Sequence, residues 1–212
     1  MGRYSGILLL GPTASGKTPL GNVCEREGLW GRRCVHFDFG ACLRKVADMG
    51  AGPEGLTEGD LGIITRSLGT GGLLEDEDFH VARRILEWFA AAKALGEDDL
   101  LILNGLPRHV GQAKALDPVA QVRRVIVLGC RPEVVRERIR LNSGGDRSGR
   151  ADDSTEAVDK RLRLFEERTF PLVDYFRAKG ARVDVARVEV DTTPGDLHRM
   201  LESMKDAEHG PA

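Results

Sequence analysis

The chain has 212 residues, enough for one large domain with a substantial core and short of the roughly 250 to 300 at which chains divide. Lys and Arg total 31 against 33 Asp and Glu, a net charge of −2, which excludes the broad basic footprint of a nucleic-acid binder and leaves an anionic ligand to local arginine clusters. Cys24, Cys34, Cys42 and Cys130 form no CxxC pair and have no histidine at ligand spacing, so neither a disulfide framework nor a zinc site is expected, and reduced thiols in a cytoplasmic protein follow.

The apolar run near the N-terminus is too short for a signal peptide or a membrane span, and Gly6 sits where a myristoylation motif needs Ser or Thr. No membrane partner is expected. Residues 7–10 read as a buried strand closed by Gly11 and Pro12. Residues 11–18, G-P-T-A-S-G-K-T, match G-x-x-x-x-G-K-[ST], and a helix is expected from Lys17, with Pro19 tolerated in its first turn. In this strand–loop–helix setting Gly11 and Gly16 let the backbone curl, so that N–H groups along Thr13, Ala14 and Ser15 turn toward phosphate oxygens at a helix N-terminus. Lys17 is expected at the β- and γ-phosphates of ATP, and Thr18 at the accompanying magnesium ion.

Further strands are predicted at 34–37, 100–103, 124–128 and within 183–190, and helices at 79–95, 133–141 and 155–178. The alternation predicts an α/β three-layer sandwich, a parallel sheet of about five strands with helices on both faces. Residues 50–73, rich in Gly with a helical candidate at 57–68, read as a mobile insertion. Residues 142–154 are polar save for Ala151 and read as a short lid, after which Asp153 and Glu156 form a capping-box-like helix start. Residues 1–204 form one expected domain and 205–212 a flexible tail.

A P-loop alone leaves ATPase, GTPase and kinase open. No NKxD-type guanine-reading segment is evident, and no Gln or Glu is placed to orient a hydrolytic water. Arginines instead gather on predicted loops, and phosphoryl transfer is positioning plus cation clamps.

The run Asn104-Gly105-Leu106-Pro107-Arg108, then Gln112-Ala113 and Leu116-Asp117, resembles the D-G-F-P-R…Q-A…L-D segment of the adenylate kinase family of nucleoside monophosphate kinases. His36 through Arg44 resembles that family's H-I-S-T-G-D-L-L-R, Ser148 through Asp153 with Lys160-Arg161-Leu162 its lid end and next helix, and Thr169-Phe170-Pro171-Leu172 its T-x-P-L. The likeness runs in register from Ile7 to Leu201. It implies ATP-dependent phosphorylation of a nucleoside monophosphate, AMP favoured, by a monomer with magnesium and no zinc. An acceptor-binding insertion at about 39–75 would carry Phe39, Gly40 and Arg44, with Gly105, Arg108 and Gln112 opposite. Arg44 and Arg108 would hold the acceptor phosphate and Gln112 its base, while Lys17, Arg108, Arg138, Arg150 and Arg161 would serve the transferring group. The chain departs from the pattern at four places. Thr18-Pro19 follows the P-loop Lys where the family has Gly. Asn104 replaces an Asp that holds magnesium-bound water. Asn142 replaces a lid arginine, for which Arg147 is the substitute. Asp38 and Phe39 replace Ser and Thr beside the acceptor base. Two other readings are a nucleotide sensor without turnover and a kinase for a non-nucleotide acceptor.

Overall fold

The computed structural model describes residues 4–50, 53–145 and 154–204; the expected tail and most of the expected lid, with Arg147, Arg150 and Asp153, lie outside the described residues. In chain order the elements are β1 (Tyr4–Leu10), α1 (Lys17–Glu27), β2 (Cys34–Asp38), α2 (Phe39–Met49), α3 (Glu58–Thr70), α4 (Phe79–Ala92), β3 (Leu100–Asn104) and α5 (Val110–Leu116). There follow β4 (Ala120–Gly129), α6 (Pro132–Leu141), α7 (Thr155–Leu164), α8 (Leu172–Ala178), β5 (Arg182–Arg187) and α9 (Pro194–Ser203).

Side chains alternate between the faces of a strand, and here both faces are apolar. β1 sends Leu8 and Leu10 into one core cluster and Ile7 and Leu9 into the other; β3 divides Leu101 and Leu103 from Leu100 and Ile102 in the same way. β3 and the second half of β1 therefore read as unbroken apolar runs, as central strands of a sheet covered twice must. All five are parallel, in the order β2-β3-β1-β4-β5. α1 and α9 cover one face through Leu20, Cys24, Leu197 and Leu201. The other face is covered by α2, α3, α4, α5 and α8, including Val46, Ile64, Ile85, Leu116 and Phe176. α6 and α7 form a small third cluster, Val135, Val158 and Leu162, against Ala14 of the P-loop. Because β1 is central, the loop after it opens at the middle of the sheet's C-terminal edge, where the ends of β3 and β2 lie alongside.

The predicted layers and all five strands are present, with β4 beginning earlier than expected at Ala120. The helix expected at 155–178 is broken. Pro171 cannot donate an N–H and would crowd a helical turn, and the chain accommodates it by widening over Phe165–Thr169, where the Phe170 N–H reaches Phe165 O at 2.7 Å. Ser154, not Asp153, caps α7, its hydroxyl accepting from Ala157 N at 3.2 Å. The helix predicted at 79–95 stops at Ala92, and Ala94 takes a left-handed φ of 47°. Within the insertion expected to be mobile, α3 starts on a capping box formed by Thr57 and Asp60, and its Ile64 is fully buried. Among the described residues no helix is long and apolar enough to cross a membrane.

Candidate active site

The P-loop is shaped by close approaches. A methyl group on Gly11 would stand 2.6 Å from Ser15 Oγ and 2.9 Å from Leu128 O, and Gly16 holds φ at 94°, in the left-handed region that favours glycine. Ala14 also lies at positive φ, 59°. Lys17 Nζ donates to Gly11 O at 2.7 Å and to Pro12 O at 2.6 Å, so the ammonium lies within the loop that it closes. Ser15 is fully buried, and its hydroxyl oxygen accepts from Lys17 Nζ at 3.4 Å.

A cleft of about 290 Å³ opens over this loop. It brings together Gly11, Thr13, Ala14, Gly16, Lys17 and Thr18 with Phe39, Gly40 and Arg44 from the start of α2, with Asn104, Gly105, Arg108 and Gln112 after β3, and with Arg161 from α7. The expected residues thus converge from four segments distant in sequence.

Arg44 is exposed and Arg108 half-buried, and neither guanidinium has a hydrogen bond or ion pair to another described residue. Desolvation, with the Arg161 charge adding repulsion, pulls Arg108 down to about 10. Cations left unneutralised in a cleft are what an anion would relieve. The backbone of Arg108 is fixed at both ends: its N–H donates to Gln112 Oε1 at 2.7 Å, and its carbonyl accepts from Thr169 Oγ1 at 2.8 Å. Gln112 Nε2 in turn donates to Leu74 O at 2.8 Å. The Gln112 amide, buried at 1% exposure, therefore holds Arg108 and the end of the insertion in place.

Three expectations change on the structure. Phe39 offers little ring to a ligand, being 5% exposed and packed at 5.9 Å from the Phe37 ring in the core. Arg138, 2% exposed, is turned from the cleft. Its Nε donates to Ala14 O at 2.9 Å, and one terminal nitrogen donates to the carbonyls of Glu189 at 2.8 Å, Val190 at 3.2 Å and Thr192 at 3.0 Å. It braces the P-loop against the segment between β5 and α9. Asp38, read in sequence as a neighbour of the acceptor base, faces the P-loop instead, where its Oδ2 accepts from the Thr18 hydroxyl at 2.6 Å.

Asn104 completes that cluster. It stands in register with Asp38 on the neighbouring strand, and its Nδ2 donates to Thr18 Oγ1 and to Asp38 Oδ2, both at 3.0 Å. His36 supports it from below. Its Nδ1 lies 2.9 Å from Asn22 Oδ1, which can only accept, so Nδ1 carries the proton and Nε2 faces Asn104 Nδ2 at 3.4 Å. Burial lowers the His36 pKa and keeps the ring neutral. Sequence reading missed the placement of Asp38 and the bracing by Thr169. An acid ending a strand beside the P-loop strand was the available signal, but it becomes readable only once the strand order is known.

A Walker-type loop with its lysine and hydroxyl, sharing one cleft with Arg44 and Arg108 on a five-stranded parallel sheet, defines a P-loop phosphotransferase. No protein-family model matches the chain. It is 30% identical to an adenylate kinase of Synechococcus sp. (strain WH7803) over 196 residues, which is 88% of this chain and 94% of that protein. It is 33% identical to an adenylate kinase of Stenotrophomonas maltophilia (strain R551-3) over 84% of this chain and 89% of the relative, and 29% identical to UMP-CMP kinase 2 of Caenorhabditis elegans over 93% and 96%. The chain belongs to the adenylate kinase family of nucleoside monophosphate kinases.

Proposed function

We propose that the enzyme transfers the γ-phosphoryl group of ATP to AMP, with ATP on the P-loop and the acceptor phosphate between Arg44 and Arg108. The observation that carries the reading is the pair of unneutralised guanidiniums sharing the cleft with Lys17. One cationic station per phosphate chain is what two mutually repelling nucleotides need in order to meet in line. Backbone N–H groups of Thr13, Ala14, Ser15 and Gly16 would receive the ATP phosphates, and Lys17 would exchange its carbonyl partners for phosphate oxygens.

Thr18 and Asp38 offer hydroxyl and carboxylate oxygens side by side, the donor set a hard cation prefers, so the residues fit magnesium. When bound with ATP, the ion supplies charge neutralisation at the transferring group. Asn104 presents its amide nitrogen, not its oxygen, to Thr18, so its part is to hold that hydroxyl and the Asp38 carboxylate in place. Arg161, with Arg150 of the lid at about 142–154, is assigned to the transferring group, and lid closure would exclude water. Arg138 is assigned to positioning the loop. The enzyme acts in this reading as a cytoplasmic monomer whose only small-molecule partners are ATP and the monophosphate.

AMP is favoured by the adenylate kinases among the relatives. The test is ADP formation from ATP and magnesium with AMP, GMP, CMP, UMP and their deoxy forms. Turnover is expected with AMP above the others. A pyrimidine preference would overturn the AMP assignment; ADP without an acceptor would mean an ATPase, and none with any acceptor a sensor.

A further inference from the structure

Asp38 is the only carboxylate among the described residues lining the cleft, in company with Lys17, Arg44, Arg108 and Arg161. Its two oxygens do different things. Oδ1 accepts from Ala41 N at 2.9 Å and caps α2, a structural duty that any short polar side chain could perform. Oδ2 has no part in the cap. It accepts from the Thr18 hydroxyl at 2.6 Å and from Asn104 Nδ2 at 3.0 Å. Because Thr18 spends its proton on Asp38 and accepts from Asn104 Nδ2 at 3.0 Å, one lone pair of its oxygen is left for the cleft. The β2–β3 register sets Asp38 directly beside Asn104, so the acid occupies the position that a carboxylate on Asn104 would otherwise share.

We propose that Asp38 is the positioning carboxylate of the magnesium site, supplying from the end of β2 the negative charge that Asn104 does not carry, and orienting Thr18 toward the cation. The proposal rests on the reading that ATP occupies this P-loop. It explains the amide at Asn104: a second carboxylate there would meet Asp38 at hydrogen-bond distance with no proton between them. Asn104→Asp alone therefore costs metal-dependent function, and the charge is moved without loss only by exchanging both residues.

The experiment measures ATP affinity in EDTA and with Mn²⁺, together with bound Mn²⁺ by electron paramagnetic resonance, for wild type, Asp38→Asn, Asn104→Asp and the double exchange. Asparagine keeps the cap of α2, so Asp38→Asn should retain its fold and melting temperature. The factor by which Mn²⁺ tightens ATP binding is expected to fall about 10- to 100-fold in Asp38→Asn, as for other groups that orient metal ligands. Its metal-free ATP affinity should stay level or rise, since a negative charge beside the phosphates has gone. The double exchange should recover most of the metal-dependent gain. An unchanged gain in Asp38→Asn, a parallel loss of metal-free affinity, or a double exchange no better than Asp38→Asn would each overturn the proposal while leaving the kinase reading intact. Wild-type protein that binds no ATP under either condition would overturn both.

Discussion

Lys17 donates to two carbonyls of its own loop, so the ammonium is held within the loop on which the phosphates are expected. Lys17→Ala should leave the fold intact by circular dichroism while lowering turnover by about 100-fold or more, the scale on which removing one preorganised donor from a developing charge is felt. ATP affinity should fall with it; wild-type affinity in the folded variant would remove the P-loop assignment. Arg44 is exposed on α2 and comes from a different segment than the P-loop, so it is assigned to docking the acceptor rather than to the transfer itself. Arg44→Ala should raise the acceptor KM about 10- to 100-fold, the worth of one charge-assisted hydrogen bond of about 1.5 to 3 kcal/mol, with little change in kcat. Steady-state kinetics that show the reverse split would move Arg44 into the transfer step.

At the scale of elements, α1 reaches β2 only because residue 21 is glycine: a Cβ there would overlap the His36 imidazole. Gly21→Ala should push His36 off both Asn22 and Asn104, costing about 1 to 3 kcal/mol in denaturant melts, the usual cost of overpacking, and loosening the Thr18–Asp38–Asn104 cluster with it. α3 is tied to α4 by His80 Nε2 and Asp60 Oδ1 at 2.7 Å. The hydrogen bond to Asp60 raises the His80 pKa above its ordinary 6.5, and bonds from Thr57 and His80 lower that of Asp60 below 3.8. Stability from the histidine is fully present below pH 6.5 and is lost as the pH rises through its raised value; that from the aspartate is present above 3.8 and is lost on acidification through its lowered value. Protection of α3 against hydrogen exchange, taken relative to the intrinsic rate at each pH, should therefore be greatest between those limits and fall beyond either, and His80→Phe should remove the alkaline arm. Much of this level was legible in the sequence. The P-loop, the alternating order and all five strands announce themselves because apolar runs and glycine punctuation are local signals. α5, with seven residues, has too few turns to show a period, whereas α2 and α9 are as long as α6 and their apolar spacing went unread. The positions of Asp38 and Arg138 depend on strand order and on contacts between distant segments, which no local pattern encodes.

Across the whole molecule, the N-terminal and C-terminal segments meet at one buried guanidinium. Arg138 binds Ala14 O on one side and the carbonyls of Glu189, Val190 and Thr192 on the other. Arg138→Met would fill much of the volume yet strand these acceptors. A loss of about 3 to 5 kcal/mol is expected in urea melts, as when one partner of a buried polar network is deleted. The variant should also show weaker ATP protection, although the side chain is turned from the cleft. The same brace sets a time on activity. During synthesis the P-loop leaves the ribosome before the carbonyls that fix its shape, about 10 to 35 s earlier at ordinary elongation rates of about 5 to 20 residues per second. A nascent chain therefore carries the whole nucleotide motif long before it can close on ATP, and becomes competent only as the stretch before α9 emerges.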